Sequence, residues 1–400
     1  MESNNLSKNS NKESNEKESL DYLNKIKSEY ILKKINQNLP KKKSLQVVQY
    51  NFRAQKRLNL NLNDYKNYSA NFSTIQIEII PIANKYGKFI NIPREADQYY
   101  HIYFNEGNEE NKRLNKNYIF EEDKAAKIII KIDFQVSSLY ELFKECDTVE
   151  SINFKRFNRN NITNMAGMFF GCSPLKNIYF SKFNMENVSN IGGMFGDCSS
   201  IIELNLSNFN TDKVNNMSAI FYKCSSLKII NLSNFNTNNV KHMSSMFYDC
   251  SSLEEINLSN FNTDNVIDMS GMFKGCSSLK ELNLSNFNTS KTKDMRFLFE
   301  GCSSLKKLNL SNFKTLNVID MNYMFYKCSS LKEINLSNFN TNNVTNMRSM
   351  FFECSSLKEL NVSNFNTNNV TNMWSMFSKC SEQLTIKMKS LNKFEEAAFE

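Results

Sequence analysis

The ten cysteines of this chain constrain its fold more than any other feature, because each lies 26 residues from the next. The series runs from Cys146 to Cys380, and no cysteine lies outside it. Self-similarity at a fixed period is the signature of repeat architectures, in which one short unit is stacked many times. We therefore interpret residues 139–386 as a solenoid of 26-residue units.

The first part of each unit predicts a short strand. Around the string NLSNFNT, which recurs in most units, apolar and polar residues alternate. In one copy Ile334 and Leu336 flank Asn335, and period-two alternation indicates a strand with one buried face. A single such strand cannot bury its apolar side alone, so we expect parallel strands stacked about 4.8 Å apart.

The second part of each unit predicts a short helix. Four apolar residues of the segment 347–354 are spaced i, i+3, i+4 and i+7, as on one face of a helix about two turns long. Asn346 precedes the segment at the N-cap position, as Asp268 and Asp320 do in their units. The predicted fold class is an α/β repeat solenoid, with a parallel sheet on one side and short helices on the other.

These motifs resemble the BspA-like leucine-rich-repeat proteins, the bacterial surface-protein 26-residue repeat family. The resemblance rests on L-x-x-L-x-L and on N-M-x-x-M-F-x-x-C-S-S-L, and it covers residues 139–386. It implies a leucine-rich-repeat solenoid with a role in adhesion or protein binding rather than catalysis. Members on cell surfaces carry a signal peptide or wall anchor, and this sequence shows neither pattern.

Both ends of the repeat array carry segments of different composition. Residues 1–17 are polar and predict a disordered tail, residues 18–62 predict helices, and residues 63–138 predict a β-rich capping domain. At the other end, LTIKM (384–388) can supply a last strand. The residues after it can form a polar helix, so that 387–400 close the core as a C-terminal cap.

Composition excludes several classes of function. The net charge of +8 is spread without a dense Lys/Arg block, so we expect no nucleic-acid partner. No run of 18 apolar residues exists, which predicts no membrane span. The N-terminus lacks the apolar core of a secretory signal, and the expected location is the cytoplasm. A surface location follows from the family resemblance only.

The sequence shows no residue pattern that is typical of a catalytic site or a metal-binding site. His101 and His242 are the two histidines, and they are far apart in sequence, so a catalytic base is not apparent. No C-x-x-C pair exists to hold zinc. Equivalent cysteines of stacked coils point the same way, which disfavours disulfides, and we interpret them as small buried apolar residues. We predict no enzyme activity and no cofactor.

Exposed asparagines and serines offer a first candidate binding surface. In N-L-S the two polar residues flank a buried leucine, so both lie on the opposite, concave face of the sheet. Stacked amides that bond to one another along the solenoid are one interpretation, and a ligand-binding face is the other. The candidate concave residues are Asn231, Ser233, Asn257, Ser259, Asn283, Ser285, Asn309 and Asn335.

Departures from the repeat offer a second candidate surface. Most units place Ser, Ala or Gly directly after the first Met, whereas units from about residue 294 to 377 place larger residues there and one turn on. Aromatic residues and arginine dominate interface energies. We predict a partner-docking patch on this convex face, with aromatic stacking along the rod or contact with the C-terminal cap as the alternatives. Its residues are Arg296, Phe297, Tyr323, Tyr326, Arg348, Phe352 and Trp374.

The predicted function is a monomeric, non-enzymatic scaffold that binds another protein. A second hypothesis is a substrate adaptor of a ubiquitin ligase, because residues 20–60 faintly resemble an F-box in Tyr30-Ile31-Leu32, Ile35, Leu39-Pro40, Leu45 and Val47-Val48. Here the Leu-Pro follows the first helix, whereas it precedes that helix in an F-box. A third hypothesis is a surface adhesin.

Overall fold

The computed structural model divides into two compact units, residues 1–73 and 74–400. In the first unit, helix α1 (Glu29–Asn38) and helix α2 (Phe52–Arg57) fall within the predicted helical segment. The Arg57 guanidinium donates a 2.6 Å hydrogen bond to the carbonyl of Ile26. The predicted tail at 1–17 and the F-box-like residues 39–48 lie outside the described residues. The structure describes residues 26–38, 52–61, 63–64, 73–105, 112–113, 117–181 and 183–400.

The second unit begins with antiparallel strands. Alternating isoleucines bury one face of the sheet, as expected for period-two patterns. Strand β1 pairs with β6 on one side and, antiparallel, with β7 on the other. The strands are β1 (Ile75–Pro81), β2 (Gly87–Lys88), β3 (Tyr100–Phe104), β4 (Lys112–Arg113), β5 (Tyr118–Ile119), β6 (Ile128–Ile132) and β7 (Val149–Arg156).

Strand β7 is also the first strand of the solenoid, so one sheet joins the antiparallel strands to the coils. It pairs in parallel with the next strand, and later coils repeat this pairing at 26-residue offsets. The buried Arg159 side chain ties the two parts together, because it donates to the carbonyls of Asp133 and Val136. The following strands are β8 (Asn177–Phe180), β9 (Glu203–Asn205), β10 (Ile229–Asn231), β11 (Glu281–Asn283), β12 (Lys307–Asn309), β13 (Glu333–Asn335) and β14 (Glu359–Asn361).

The predicted short helix of each coil is wrong, because the equivalent segments are consecutive turns. In segment 347–354, the N–H groups of Met350 and Cys354 donate to carbonyls three residues back. The alternate N–H groups, those of Met347 and Ser349 among them, donate instead to the next coil, 25 residues ahead. A helix would use every N–H within its own segment. Ser349 and Glu353 have φ of 50° and 58°, which a right-handed helix cannot contain.

These turns nevertheless bury the residues that the helix prediction placed inside. The side chains of Met347, Met350, Phe351 and Cys354 are fully buried. Two turns that each span four residues put their first and last side chains on one side, which reproduces the spacing i, i+3, i+4, i+7. Parallel bridges along this side link Ser138 to Asn372 in 26-residue steps.

Stacked phenylalanines fill the core of the solenoid. Rings at equivalent positions from Phe143 to Phe377 lie 5.3–5.9 Å apart in a continuous row. Phe399 of the C-terminal segment extends the row, at 5.5 Å from Phe377. Beside them, each thiol from Cys172 to Cys380 donates to the carbonyl of a phenylalanine in the preceding coil, at 2.8–3.2 Å. All ten cysteines are free.

The C-terminal end of the solenoid is closed differently from the expectation. Residues 384–388 lie in helix α3 (Glu382–Ser390) rather than in a last strand, so the proposed boundary at 386/387 falls inside a helix. The N–H groups of Ser375 and Phe377 donate to the carbonyls of Ala397 and Ala398. The segment 395–400 thereby supplies acceptors that a further coil would otherwise provide. Among the described residues no helix is long and apolar enough to cross a bilayer.

Candidate partner-binding surface

The solenoid has two regular surfaces. We call the side formed by strands β8–β14 the strand face, and the side formed by the turns equivalent to 347–354 the turn face. The candidate concave residues lie on the strand face and the candidate convex residues on the turn face.

On the strand face, the asparagine that opens each NLSNFNT string is exposed but tied to its own coil. The side-chain carbonyl of Asn335 accepts from the N–H of Ser337 at 3.0 Å, and equivalent bonds form in the other copies. Hydrogen bonds between coils come from other asparagines. The Asn338 amide, for example, donates to the carbonyls of Leu310 and Phe313 at 2.9 and 2.8 Å. The string is therefore largely a means of joining coils.

A groove of about 960 Å³ crosses the strand face beside helix α3. It is lined by residues of β11–β14 and by Lys387, Met388 and Leu391 of the C-terminal segment. Its charges are mixed, because Lys307 pairs with Glu281 at 2.6 Å and Lys387 pairs with Glu359 at 2.8 Å. Both pairs are solvent-exposed, so they contribute little to stability and present no net charge of one sign.

On the turn face, the predicted aromatic residues are brought into contact. Phe297 stacks on Tyr323 with ring centroids 5.5 Å apart, and Tyr323 meets Tyr326 edge-on at 5.2 Å. Tyr326 in turn stacks on Phe352 at 4.9 Å. We call this set, together with Arg348 and Trp374, the aromatic strip. Its rings are half-buried, whereas Trp374 is 47% exposed.

The aromatic strip is built on unusual backbone. Phe297 and Tyr323 adopt φ of 61° and 56° at the third residue of their turns, a left-handed conformation that costs energy for any residue except glycine. Equivalent positions in other coils carry Gly193 and Gly271, with φ of 64° and 58°. Aromatic side chains at this position therefore stand where glycine would be easiest to accommodate.

Cations lie over most rings of the aromatic strip. The Arg348 guanidinium is 4.8 Å from the ring centroid of Trp374 and 5.9 Å from that of Tyr323. Lys327 lies over Tyr326 at 5.2 Å, and Lys379 over Phe352 at 5.1 Å. Such contacts contribute roughly 0.5–1 kcal/mol each at exposed sites. The sequence interpretation missed these lysines, although they directly precede the cysteines at the 26-residue period.

The two predicted arginines differ in their partners. Arg296 makes a bidentate pair with Asp294, with contacts of 2.6–3.1 Å, and this hydrogen bonding raises the pKa of Arg296. Arg348 makes no ion pair with any described residue. Its Nε is buried without a hydrogen-bond acceptor, and Asn322 Oδ1, one coil earlier in the same row, is buried without a donor.

The cysteines behave as buried thiols rather than as reactive groups. Burial raises the pKa of Cys224 and of Cys302 to about 12, so both are protonated at neutral pH. The described residues contain no cluster of His, Cys, Asp or Glu arranged to hold a metal ion.

Comparison with solved structures returns leucine-rich-repeat proteins of low identity. One from Bacteroides ovatus is 16% identical, with a TM-score of 0.34, over 63% of this chain and 65% of that chain. Another from Eubacterium ventriosum is 15% identical, with a TM-score of 0.30, over 52% and 60%. A leucine-rich cell surface protein from Faecalibacterium prausnitzii is 16% identical, with a TM-score of 0.27, over 57% and 74%. The chain spans less than two thirds of the first two structures.

Comparison with protein families identifies the repeat region. No curated protein matches the chain. The 26-residue coil of the structure confirms the predicted BspA-like leucine-rich repeat. A family model matches three overlapping segments, 137–229, 223–333 and 305–395, which together cover more than half of the chain. The chain therefore belongs to the family described as Mycoplasma protein of unknown function, DUF285.

Proposed function

We propose that the protein is a non-enzymatic scaffold that docks another protein through the turn face between residues 294 and 377. The aromatic strip is the observation that carries this proposal. It joins stacked rings, cations without carboxylate partners and a half-exposed tryptophan in adjacent coils. Tyrosine, tryptophan and arginine are the residues in which binding energy concentrates at protein interfaces.

The strand face supports this function less well. Its asparagines repeat identically from coil to coil, and their side-chain carbonyls are already engaged with their own backbone. A uniform row discriminates little between partners. The turn face, by contrast, differs from coil to coil in the region of the aromatic strip, and such differences are needed for specificity.

Affinity isolation with matched variants tests the proposal. The triple variant Arg296→Ala, Arg348→Ala, Trp374→Ala should lose most of the partner recovered by the unmodified protein, because it removes both arginines and the tryptophan of the predicted docking patch. The control changes Asn257, Asn283 and Asn309 of the strand face to Ser and should retain that partner. Circular dichroism should confirm that both variants are folded.

The identity of the recovered partner distinguishes the other hypotheses. Recovery of ligase core subunits, lost on deletion of residues 20–60, would replace the scaffold by a ubiquitin-ligase adaptor. Labelling of the protein on intact cells by a membrane-impermeant reagent would instead support an adhesin and overturn the proposed cytoplasmic location. Equal recovery by the turn-face variant and the unmodified protein would reject the turn face as the docking site.

A further inference from the structure

We propose that Arg348, held between Tyr323 and Trp374, is the anchor for a carboxylate on an acidic segment of the partner protein. The inference rests on the proposed function, since it assigns the chemistry of the ligand that the turn face binds. It concerns one side chain of the aromatic strip and predicts a direct, carboxylate-dependent contact there.

The guanidinium of Arg348 lacks a hydrogen-bond partner within the described part of the fold. Arg348 is half-buried between two rings, and none of its guanidinium nitrogens donates to an acceptor among the described residues. Arginine presents donors in a planar fork that matches a carboxylate in bidentate geometry. The chain itself contains the satisfied form of this arrangement, because Arg296 and Asp294 form such a pair two coils earlier.

The charged groups around Arg348 are mostly cations. Lys327 and Lys379 occupy the flanking coils, and neither has a carboxylate within ion-pair distance among the described residues. Of the nearby acids, Asp320 accepts hydrogen bonds from the amides of Asn346 and Asn322, at 3.0 and 3.3 Å. Glu353 is the remaining acid between the two lysines. Three cations without an ion-pair partner thus stand against two carboxylates, those of Asp320 and Glu353, and the excess of positive charge favours a partner that brings negative charge.

Cations in the neighbouring part of the turn face have carboxylate partners, unlike Arg348. Lys274 lies over Phe297 at 5.0 Å in the same kind of contact, yet it also pairs with Glu300 at 3.1 Å. The fold supplies an internal carboxylate from the adjacent coil, as Glu300 for Lys274, or from the same coil, as Asp294 for Arg296. At Arg348 the adjacent coils place Asn322 and Trp374 in the same row, and Asn346 occupies the position that Asp294 has in the coil of Arg296. None of these three residues is anionic. The carboxylate for Arg348 must therefore come from outside.

Fluorescence of Trp374 provides a local measurement, because it is the single tryptophan of the chain. The full chain is titrated with a hexaglutamate peptide and, separately, with a hexaglutamine peptide of the same length. We expect a saturable change in Trp374 emission with hexaglutamate and none with hexaglutamine. Arg348→Gln should weaken this response about tenfold or more. Arg156→Gln, which changes an exposed arginine of strand β7 outside the aromatic strip, should leave the response within about twofold.

Several results would overturn the inference. Equal responses to the two peptides, or an undiminished response of folded Arg348→Gln, would remove the carboxylate from the interaction. A stronger response to inorganic phosphate than to hexaglutamate would assign another anion. An Arg348-dependent increase in sedimenting mass would make a second copy of this chain the occupant. Partner capture that depends on the strip, without a hexaglutamate response, would reject this inference while leaving the proposed function intact.

Discussion

At the scale of single residues, the threonine of NLSNFNT joins the coils most directly. Its buried hydroxyl spans two coils. In the near-copy NLSNFKT, Thr315 Oγ1 donates to the carbonyl of Asn340 at 2.7 Å and accepts from the Asn340 N–H at 2.8 Å. One side chain thus satisfies both the N–H and the C=O of a residue in the next coil, at a place where the two coils are not paired as β-strands. This explains why a polar residue is fully buried in a core of phenylalanine and leucine.

Replacement of Thr315 by valine should therefore destabilise the protein. The isosteric change leaves the N–H and C=O of Asn340 without their partner, and an unsatisfied buried group costs about 1–3 kcal/mol. Urea denaturation followed by circular dichroism should show a correspondingly lower midpoint. Thr315→Ser keeps the hydroxyl and serves as the control; a valine variant as stable as the serine variant would show that the bridge contributes nothing.

At the scale of elements, the turn face depends on backbone conformation that sequence patterns do not encode. Ser245 lies at the third position of its turn with φ of 54°, and the N–H of Ser245 donates to the carbonyl of Ser270 in the next coil. Glycine occupies the equivalent place in that coil, as Gly271. The element is thus a stack of turns with one left-handed residue in each, and it tolerates many polar residues but not a branched one.

Substitutions at Ser245 test this description of the element. Ser245→Val should lower the free energy of unfolding by roughly 1–2 kcal/mol, because a β-branched side chain is strained in the left-handed region. Ser245→Gly should be neutral or stabilising for the same reason. Thermal or urea unfolding of the two variants gives the comparison. In a helix the order would reverse, because valine is the better helix former there, so a more stable valine variant would refute the stack of turns.

Much of the solenoid was predictable from the sequence, and the error in it has a physical cause. The 26-residue period, the short strands and the burial of Met347 and Phe351 all follow from the pattern of apolar residues. The pattern cannot distinguish a helix from consecutive turns, because both bring residues i, i+3, i+4 and i+7 to one side. What decides between them is where the backbone N–H groups donate, and here half of them donate to the next coil.

The candidate site was predictable in part for a similar reason. The aromatic strip could be recognised in the sequence because large residues occupy positions where other coils carry glycine or serine. The partners of the two arginines could not be inferred, because they depend on rotamers. Arg296 reaches back to Asp294 of its own coil, whereas Arg348 turns onto Trp374 of the next. The C-terminal helix was missed because LTIKM alternates like a strand, yet Ser381 caps a helix there.

At the scale of the whole molecule, the row of buried cysteines makes the free energy of unfolding decrease as the pH rises above about 9. Burial raises the pKa of Cys172, Cys224 and Cys302 to about 12, from an ordinary value of about 9. Above pH 9 the unfolded chain releases thiol protons that the folded chain retains, so unfolding becomes more favourable. Each such thiol should remove about 1.4 kcal/mol of stability per pH unit between these two values.

The urea midpoint should therefore be constant between pH 7 and 8 and fall steeply above about pH 9. Alanine at both Cys224 and Cys302 costs stability at every pH, because each thiol donates to a buried carbonyl. The same variant should nevertheless decline less steeply with pH, since it removes two titrating groups. Identical slopes for the variant and the unmodified protein would show that the thiols do not control alkaline unfolding.

The repeat also predicts which deletions the molecule can survive. Each coil contacts its neighbours through rows at fixed register, so stability is close to a sum of coil and interface terms. Removal of residues 225–250 joins Cys224 to Ser251 and keeps the phenylalanine and threonine rows in register. This variant should fold with a modestly lower midpoint. Removal of 13 residues, 225–237, shifts every later row by half a coil and should abolish cooperative unfolding.

The same deletion separates the scaffold from the proposed site. Residues 225–250 lie outside the aromatic strip, so the Trp374 response to hexaglutamate should be preserved within about twofold in the deletion variant that keeps register. Deletion of 329–354, which is also one full coil, removes Arg348 and Phe352 and should abolish the response while leaving a folded protein. Equal responses from the two deletion variants would mean that any coil of the solenoid can bind hexaglutamate. Recognition would then depend on the residues that all coils share, rather than on the residues that distinguish the aromatic strip.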